Sequence, residues 1–506
     1  MDRRKSVLNV SVSIAFKLLT MVMSILVRRI LIRICGNEIN GLNSLYLSII
    51  GFLSVVELGV GSAITFCMYT PIVEGNNGQV AALYRLFRRI YWIIGGIILA
   101  TGLMLTPFIH HFAKDYAELE VNLYSTFVLM LGSVVITYSY AAKTSLINAY
   151  KNNYISTAIT SGGLVLQYSL QIVVLLWTKS FSAYLCCRVI AALVQWGAAE
   201  VVARRKHSDI LETIPSLIGL DTKGKLIRSI KAMFMHKIGE VLVTSIDGMV
   251  IAAYIGVIAL GEYSNYTIIL SSMAGVLGLV FGSLTSIVGH LAAKGTNKRV
   301  FEAFECFHLI NFFLGLLFYL GFYAIVDDLV RILFSPDLVS ERAVVSVMSF
   351  NGFIQYMRKS LHVFRDATGT FYNDRWKPIV EGISNLVLSI LLVQRMGITG
   401  VIIATIITTL LICHIVEPHV LFRNAFQCSP RKFYYKNYGF MLLYIIGMIV
   451  VEACKQNTNN PMLNILVNGA LTVLISMAIC FGIMILMPER IKAIKAFVCE
   501  GRGKDV

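Results

Sequence analysis

Residues 36–69, GNEINGLNSLYLSIIGFLSVVELGVGSAITFCMY, contain a pattern that returns 220 residues further along the chain. Thirteen positions between residues 36 and 90 carry the same amino acid in both copies, and Lys17 matches Lys237 in the same register. Paired glycines and lysines in one frame indicate a duplicated unit rather than shared hydrophobic composition. The pairs include Gly36 and Gly256, Gly41 and Gly261, Ser44 and Ser264, Tyr46 and Tyr266, and Asn77 and Asn297.

The composition is that of a membrane protein. Hydrophobic residues make up 57% of the chain and charged residues 14%, and the mean hydropathy is +0.74. A soluble domain has too little interior for so much apolar side chain. The apolar residues form blocks long enough for helices to cross a hydrocarbon layer of about 30 Å, and backbone groups in lipid require helices. The predicted spans are residues 7–35, 40–69, 83–110, 121–149, 154–177, 180–203, 232–258, 263–292, 301–326, 343–364, 376–394, 397–421, 434–452 and 461–487.

The repeat and the spans together predict the architecture. Six spans separate the two copies, an even number, so both copies have the same orientation in the membrane. Parallel repeats of this kind are related by a pseudo-twofold axis along the membrane normal, with a cavity between them. We therefore expect an all-α polytopic protein of about 14 transmembrane helices, with two six-helix lobes and two further C-terminal helices. The lobes are residues 1–203 and 232–426, joined by a cytoplasmic linker of residues 204–231, and residues 427–506 carry the last two helices and a tail.

The basic residues are distributed unequally between the two sides. With the N-terminus inside, 32 of the 44 lysines and arginines fall on the cytoplasmic side or at adjoining span ends, 6 fall on the outer side and 6 lie within spans. This is the asymmetry of the positive-inside rule, and it predicts that both termini are cytoplasmic. The net charge of +16 is thereby explained by topology, so nucleic acid is not an expected partner.

Cations within spans are the candidate substrate-binding residues, because each costs about 2.5–3.5 kcal/mol on insertion scales. We expect Lys17, Arg28, Arg188 and Lys237 to line the cavity. Lys17 and Arg28 lie eleven residues apart, about three helical turns, and so share one face of the first helix. The alternative for Arg28 is a side chain that extends to the outer headgroups.

Two carboxylates lie deep in predicted spans and are candidates for charge pairing and gating. Glu57 is expected near the depth of Lys17, which makes Lys17 its predicted partner. Asp247 corresponds in the repeat to Val27, beside Arg28, so Asp247 and Arg28 are expected at similar depths. They could form a latch on the outer side. The alternative is that Asp247 bonds a neighbour within its own lobe.

Three segments resemble a known family. They are residues 36–69, quoted above, residues 245–278 (SIDGMVIAAYIGVIALGEYSNYTIILSSMAGVLG) and residues 364–408 (FRDATGTFYNDRWKPIVEGISNLVLSILLVQRMGITGVIIATIIT). These resemble the polysaccharide transporters of the MOP exporter superfamily, the Wzx-type flippases, over most of residues 7–426. The resemblance implies the MOP flippase fold, alternating access, and a place in the bacterial inner membrane. It also implies export of undecaprenyl-pyrophosphate-linked repeat units, with membrane lipids, glycan polymerase and glycosyltransferases as further candidate partners.

Two other functions are open to a polytopic chain. A MATE-like multidrug or cation antiporter needs carboxylates in its cavity, whereas the charges within these spans are mostly cationic. A membrane-embedded glycan polymerase, an enzyme, needs acid/base groups on a long outer loop, and the longest predicted outer loop carries no such set. The ten cysteines lack metal-ligand spacing, and no GxxxxGK[ST] motif occurs. We expect no metal and no cofactor, and the coupling ion, Na⁺ or H⁺, is left open.

Overall fold

The computed structural model describes residues 3–57, 60–114, 121–216, 224, 241, 245–294, 296–370 and 374–486. Within these ranges the secondary structure is helical and contains no strand. The chain divides into two compact units, Met1–Gly261 and Glu262–Val506, which we describe separately. All fourteen predicted spans overlap helices in the described residues, which confirms the all-α class.

The described residues of the first unit form eight longer helices and a four-residue helix, Ile109–Phe112, and polar side chains begin several of the longer ones. The Asn76 side chain accepts from Gln79 N, Asn122 accepts from two backbone N–H groups, and Ser180 accepts from Ala183 N, so each satisfies an N–H that lacks a helical partner. The helices are α1 (Arg3–Cys35), α2 (Asn37–Leu53), α3 (Val60–Val73), α4 (Asn77–Leu105), α5 (Leu123–Ala149), α6 (Asn153–Thr178), α7 (Phe181–Glu212) and α8 (Ser245–Tyr254).

The second predicted span, residues 40–69, is not one continuous helix. Helix α2 ends at Leu53, the 3₁₀ turn Ser54–Glu57 follows, and α3 begins at Val60. Ser54 Oγ donates to the Ile50 carbonyl, a local bond that competes with regular helix and tends to bend it. The interruption places Glu57 at a break in the helix instead of along a helical face.

The second unit holds the remaining helices, and α9 enters it from the first. Gly397, with φ of 57°, interrupts the helical dihedrals of α13 between the predicted eleventh and twelfth spans. Its two limbs lie side by side, because Asn385 Nδ2 donates to Thr405 Oγ1 over 2.9 Å. The helices are α9 (Val257–Lys294), α10 (Asn297–Leu333), α11 (Arg342–Met357), α12 (Lys359–Thr368), α13 (Lys377–Thr408), α14 (His414–Leu421), α15 (Arg431–Cys454) and α16 (Pro461–Leu486).

Packing within each unit follows from the long apolar helices. In the first unit α1 packs along α6, and α7 packs against both α5 and α6. In the second unit α10 packs against α11, α15 and α16, over a core that includes stacked Phe312 and Phe440. These contacts decide which side chains from distant parts of the sequence meet.

Eight helical segments of the described residues are long and apolar enough to cross a membrane. In each segment, the 18-residue stretch of highest hydropathy has between 17% and 61% of its residues buried inside the protein. This partial burial is expected of helices that contact lipid. The segments are Asn77–Phe112, Leu123–Ala149, Asn153–Thr178, Phe181–Glu212, Asn297–Leu333, Lys377–Phe426, Arg431–Cys454 and Pro461–Ile485.

Candidate functional site

Two of the four predicted cavity cations lie near the same pair of tyrosines in the first unit. Arg28 lies on α1 and Arg188 on α7, and both guanidinium groups lie within electrostatic range of the Tyr168 and Tyr184 hydroxyls. Tyr168 belongs to α6, the helix that packs against both α1 and α7. Tyr184 precedes Arg188 by one helical turn and so lies on the same face of α7. We call these four residues the arginine–tyrosine site.

Arg188 has little compensation for its charge. Its Nε is buried without a hydrogen-bond partner, and no carboxylate of the described residues lies within 4.0 Å of its guanidinium nitrogens. A guanidinium has five N–H donors arranged to bind carboxylate or phosphate through two parallel bonds. Because an uncompensated cation inside a span is costly, this arrangement is typical of a site that binds an anion.

The other two predicted cations are Lys17 and Lys237. Lys17 lies on α1, about three turns before Arg28, and its side chain is exposed. Lys237 lies outside the described residues. Their place in the cavity stays a prediction.

Glu57 has a neutral partner in the structure. Its Oε1 accepts a hydrogen bond of 3.0 Å from the Tyr91 hydroxyl, whereas the sequence predicted Lys17 as its partner. Tyr138 lies beside this pair, with its hydroxyl 3.4 Å from Ser54 Oγ. Glu57, in the 3₁₀ turn after α2, thus lies beside tyrosines of α4 and α5.

Asp247 lies on α8, where it is only 8% exposed. Its helix packs closely on α2: a Cβ at Gly248 would lie 2.3 Å from Ser48 Oγ, and one at Gly51 would lie 2.8 Å from Ser245 Oγ. The predicted pairing of Asp247 with Arg28 stays a prediction.

Two of the duplicated glycines, Gly41 and Gly261, lie near the starts of α2 and α9, where close contacts leave no room for a side chain. A Cβ at Gly41 would lie 1.8 Å from the Val257 carbonyl oxygen, and a Cβ at Gly261 would lie 2.6 Å from the Asn37 carbonyl oxygen. In the 220-residue register Asn37 corresponds to Val257 and Gly41 to Gly261. Gly41 therefore lies against Val257, the counterpart of Asn37, and Gly261 lies against Asn37, the counterpart of Val257. This reciprocity is what a twofold axis produces. We call this contact the glycine crossing.

Hydrogen bonds hold the glycine crossing together. Asn37 Nδ2 donates to the Ile258 carbonyl over 3.1 Å, and Asn40 Nδ2 donates to the Gly261 carbonyl over 3.3 Å. Near the end of α8, Lys114 Nζ donates to the Tyr254 carbonyl over 3.2 Å. These residues lie at the helix ends that the charge count places outside, so the glycine crossing lies on the predicted outer side.

A buried cluster of charges in the second unit was missed by the sequence analysis. Arg358 binds Glu417 through two bonds, Nη2 to Oε1 over 2.6 Å and Nε to Oε2 over 3.1 Å. Lys377 Nζ also binds Glu417, His362 Nε2 lies 3.2 Å from Glu417 Oε1, and Glu381 lies 3.7 Å from Arg358. The positive charges of Arg358 and Lys377 balance the negative charges of Glu417 and Glu381. We call these five residues the Glu417 cluster.

The Glu417 cluster joins three predicted spans at the ends that the charge count places on the cytoplasmic side. Arg358 lies at the junction of α11 and α12, and the other four residues come from α12, α13 and α14. Turns of π-helix at Thr409–Cys413 and Phe422–Phe426 flank the helix of Glu417. Turns of π-helix are rare in proteins, and those that occur are frequently found at functional sites. The signal that the sequence analysis missed was the spacing of Lys377 and Glu381 by one helical turn, together with the charges in the adjacent spans.

Comparisons with known proteins identify the fold. No protein-family model matches the chain, and no curated protein matches it. Among solved structures, lipid II flippase MurJ in an inward closed conformation has a TM-score of 0.65 and 14% identity, covering 95% of this chain and 100% of that chain.

Multidrug transporters are similar as well. An inward-facing MATE family transporter of the MOP superfamily has a TM-score of 0.62 and 13% identity, covering 82% of this chain and 98% of that chain. The MATE multidrug transporter DinF-BH has a TM-score of 0.57 and 16% identity, covering 83% of this chain and 97% of that chain. The chain therefore has the polytopic, all-helical fold of the MOP superfamily transporters.

Proposed function

We propose that this chain is a flippase that moves polyprenyl-pyrophosphate-linked oligosaccharides from the inner to the outer leaflet by alternating access, without chemical change to the substrate. The observation that carries the proposal is the arginine–tyrosine site, in which Arg28 and Arg188 share one environment within the spans. A structural neighbour that is a lipid II flippase supports the same class of substrate.

The chemistry of the site suits a pyrophosphate. Its oxygens carry about two or more negative charges and accept bidentate bonds from guanidinium groups. The hydroxyls of Tyr168 and Tyr184 add hydrogen-bond donors beside the arginines. Their rings offer apolar faces with a polar tip, as a sugar chain requires.

The second candidate is a MATE-like multidrug or cation antiporter, which the MATE neighbours support. An organic cation requires a carboxylate within the transport path. Glu57 already accepts from Tyr91, and Glu417 is held by Arg358 and Lys377, so these two carboxylates are engaged. Asp247 is buried on α8, the helix that packs closely on α2. The balance of charge at the arginine–tyrosine site favours the anionic substrate.

Transport by the purified chain tests the proposal. We expect proteoliposomes to move a fluorescent polyprenyl-pyrophosphate saccharide between leaflets, and Arg28→Ala and Arg188→Ala to lose this activity. Arg29→Ala and Arg205→Ala are matched controls, because both arginines are exposed, one beside Arg28 and the other on α7 with Arg188. Both controls should retain transport.

The two candidates give opposite results in the same preparation. A flippase for an anionic lipid-linked substrate should not transport cationic dyes across the membrane. Efflux of such a dye that requires Asp247 and is indifferent to Arg28 and Arg188 would assign the chain to the antiporters.

The proposed direction requires both termini on the cytoplasmic side. Single cysteines near Lys114 and Asp337 should react with an impermeant thiol reagent in intact cells, while cysteines near Lys151 and Lys298 should react only after permeabilisation. Reaction at Lys151 in intact cells would reverse the topology and with it the direction of transport.

A further inference from the structure

An apolar groove of about 630 Å³ lies in the second unit, apart from the Glu417 cluster. Val347 and Phe350 of α11 form one wall, and Met448 and Ile449 of α15 form the other. The volume is within the range of small-ligand sites. The groove is open rather than enclosed, and two of its apolar lining residues, Ile445 and Ile449, are exposed, so a ligand can enter it.

Charged and polar groups lie at one end of the groove. Tyr323 and Glu452 line this end, and the Tyr323 hydroxyl donates to Glu452 Oε2 over 2.9 Å. Arg342 donates to the same oxygen over 2.6 Å and to Asp327 Oδ2 over 3.0 Å. Lys455 Nζ lies 3.8 Å from the other oxygen, Glu452 Oε1. Two cations and two carboxylates thus balance at this rim.

The groove runs from the rim into the apolar part of the membrane. Ile445 and Glu452, both lining residues, lie seven residues apart on α15, which corresponds to about 10 Å along the helix. Glu452 is near the end of α15 that the charge count places outside. The shape is therefore that of a site for a hydrocarbon chain whose headgroup rests at the outer interface.

The rim favours a zwitterionic headgroup with a primary ammonium. Glu452 Oε2 already accepts from Arg342 and Tyr323. Among the described residues, Glu452 Oε1 has only the long contact to Lys455, and the Glu452 side chain is 43% exposed. Oε1 can therefore accept from an ammonium, while Lys455 can donate to the phosphate of the same lipid. An anionic headgroup would add uncompensated negative charge to a rim that is already balanced.

We propose that this groove is a binding site for an aminophospholipid of the outer leaflet, with its acyl chain between α11 and α15 and its ammonium at Glu452 Oε1. The lipid is a bound component of the protein and not the transported substrate. The proposal is independent of the arginine–tyrosine site.

Native mass spectrometry of the full chain tests the proposal, after release from nanodiscs that contain equal amounts of phosphatidylethanolamine, phosphatidylcholine and phosphatidylglycerol. We expect one retained phosphatidylethanolamine, favoured about fivefold over each of the others, a difference of about 1 kcal/mol. Ile449→Trp should fill the groove and abolish retention. Leu442→Trp is its control, because Leu442 is also exposed on α15 and does not line the groove.

The headgroup assignment has its own pair of variants. Glu452→Gln should remove the preference for phosphatidylethanolamine, whereas Glu341→Gln, at an exposed carboxylate near the same end of α11, should retain it. Equal retention of the three lipids by the unmodified chain would overturn the proposal. So would a preference for phosphatidylglycerol, or equal phosphatidylethanolamine retention by Ile449→Trp and Leu442→Trp at the same melting temperature.

Discussion

The two units of the molecule hold their buried cations in opposite ways. In the first unit Arg188 lies beside tyrosines, with no carboxylate of the described residues in ion-pair contact. In the second unit Arg358 and Lys377 converge on Glu417, with Glu381 close by. All of these charges lie within or at the ends of apolar spans, where an unpaired charge is costly.

The difference separates a structural charge from one that can bind a ligand. A paired cation contributes little net stability, but removal of its partner leaves a buried charge. A cation without a carboxylate is already destabilising and gains most when an anion arrives. The same residue type therefore predicts opposite consequences of mutation in the two units.

The largest expected effect is at the Glu417 cluster. Glu417→Ala leaves Arg358 and Lys377 without their main counter-charge and should destabilise the protein by about 3–5 kcal/mol. The measurement is the melting temperature and yield in detergent, with Glu302→Ala as the control because Glu302 is exposed on α10. If the two variants melt together, the cluster is not structural and the comparison between the units fails.

The next effect is on transport rather than stability. Arg188→Met should leave the melting temperature unchanged or raise it, because it removes an uncompensated guanidinium. Surface glycan should fall about tenfold to a hundredfold, as expected for the loss of charge-assisted hydrogen bonds worth about 1.5–3 kcal/mol. A marked drop in melting temperature would show that Arg188 is structural, like Arg358.

The glycine crossing predicts a smaller, symmetric effect. Gly41→Ala and Gly261→Ala should each lower stability by about 1–3 kcal/mol, because the added methyl meets backbone atoms that cannot rotate away. Gly96→Ala is the control, since a Cβ there meets nothing within 4 Å and should leave stability unchanged or raise it. The measurement is the melting temperature of the three variants. Opposite signs for Gly41 and Gly261 would contradict the reciprocal contact.

The smallest expected effect concerns the latch between Asp247 and Arg28. Asp247→Asn should favour the outward-facing state, which would raise external labelling of a cavity cysteine about fivefold, a typical coupling free energy of about 1 kcal/mol. The double variant Asp247→Arg with Arg28→Asp should partly restore the original labelling. Unchanged labelling in Asp247→Asn would favour the alternative, in which Asp247 bonds a neighbour in its own lobe.

Hydrophobic blocks, paired glycines and the distribution of lysine and arginine predicted much from the sequence alone. The class, the span positions and the position of the break near Gly397 follow from local rules: a membrane requires helices of a certain length, and turns between them require polar residues or glycine. The repeat also singled out Gly41 and Gly261, although their roles could not be read from it. Arg28 and Arg188 were candidates because a charge within a span is conspicuous whatever surrounds it.

Only the tertiary structure decided which charges have partners. Arg358 and Glu417 are 59 residues apart in sequence, and their contact depends on how α12, which Arg358 precedes, packs on α14. Glu57 bonds Tyr91 because a 3₁₀ turn interrupts the helix before it, which a hydrophobic pattern does not reveal. The glycine crossing likewise exists only once α2 and α9 meet. Burial and composition are local properties of a sequence, whereas pairing is a property of two segments brought together by packing.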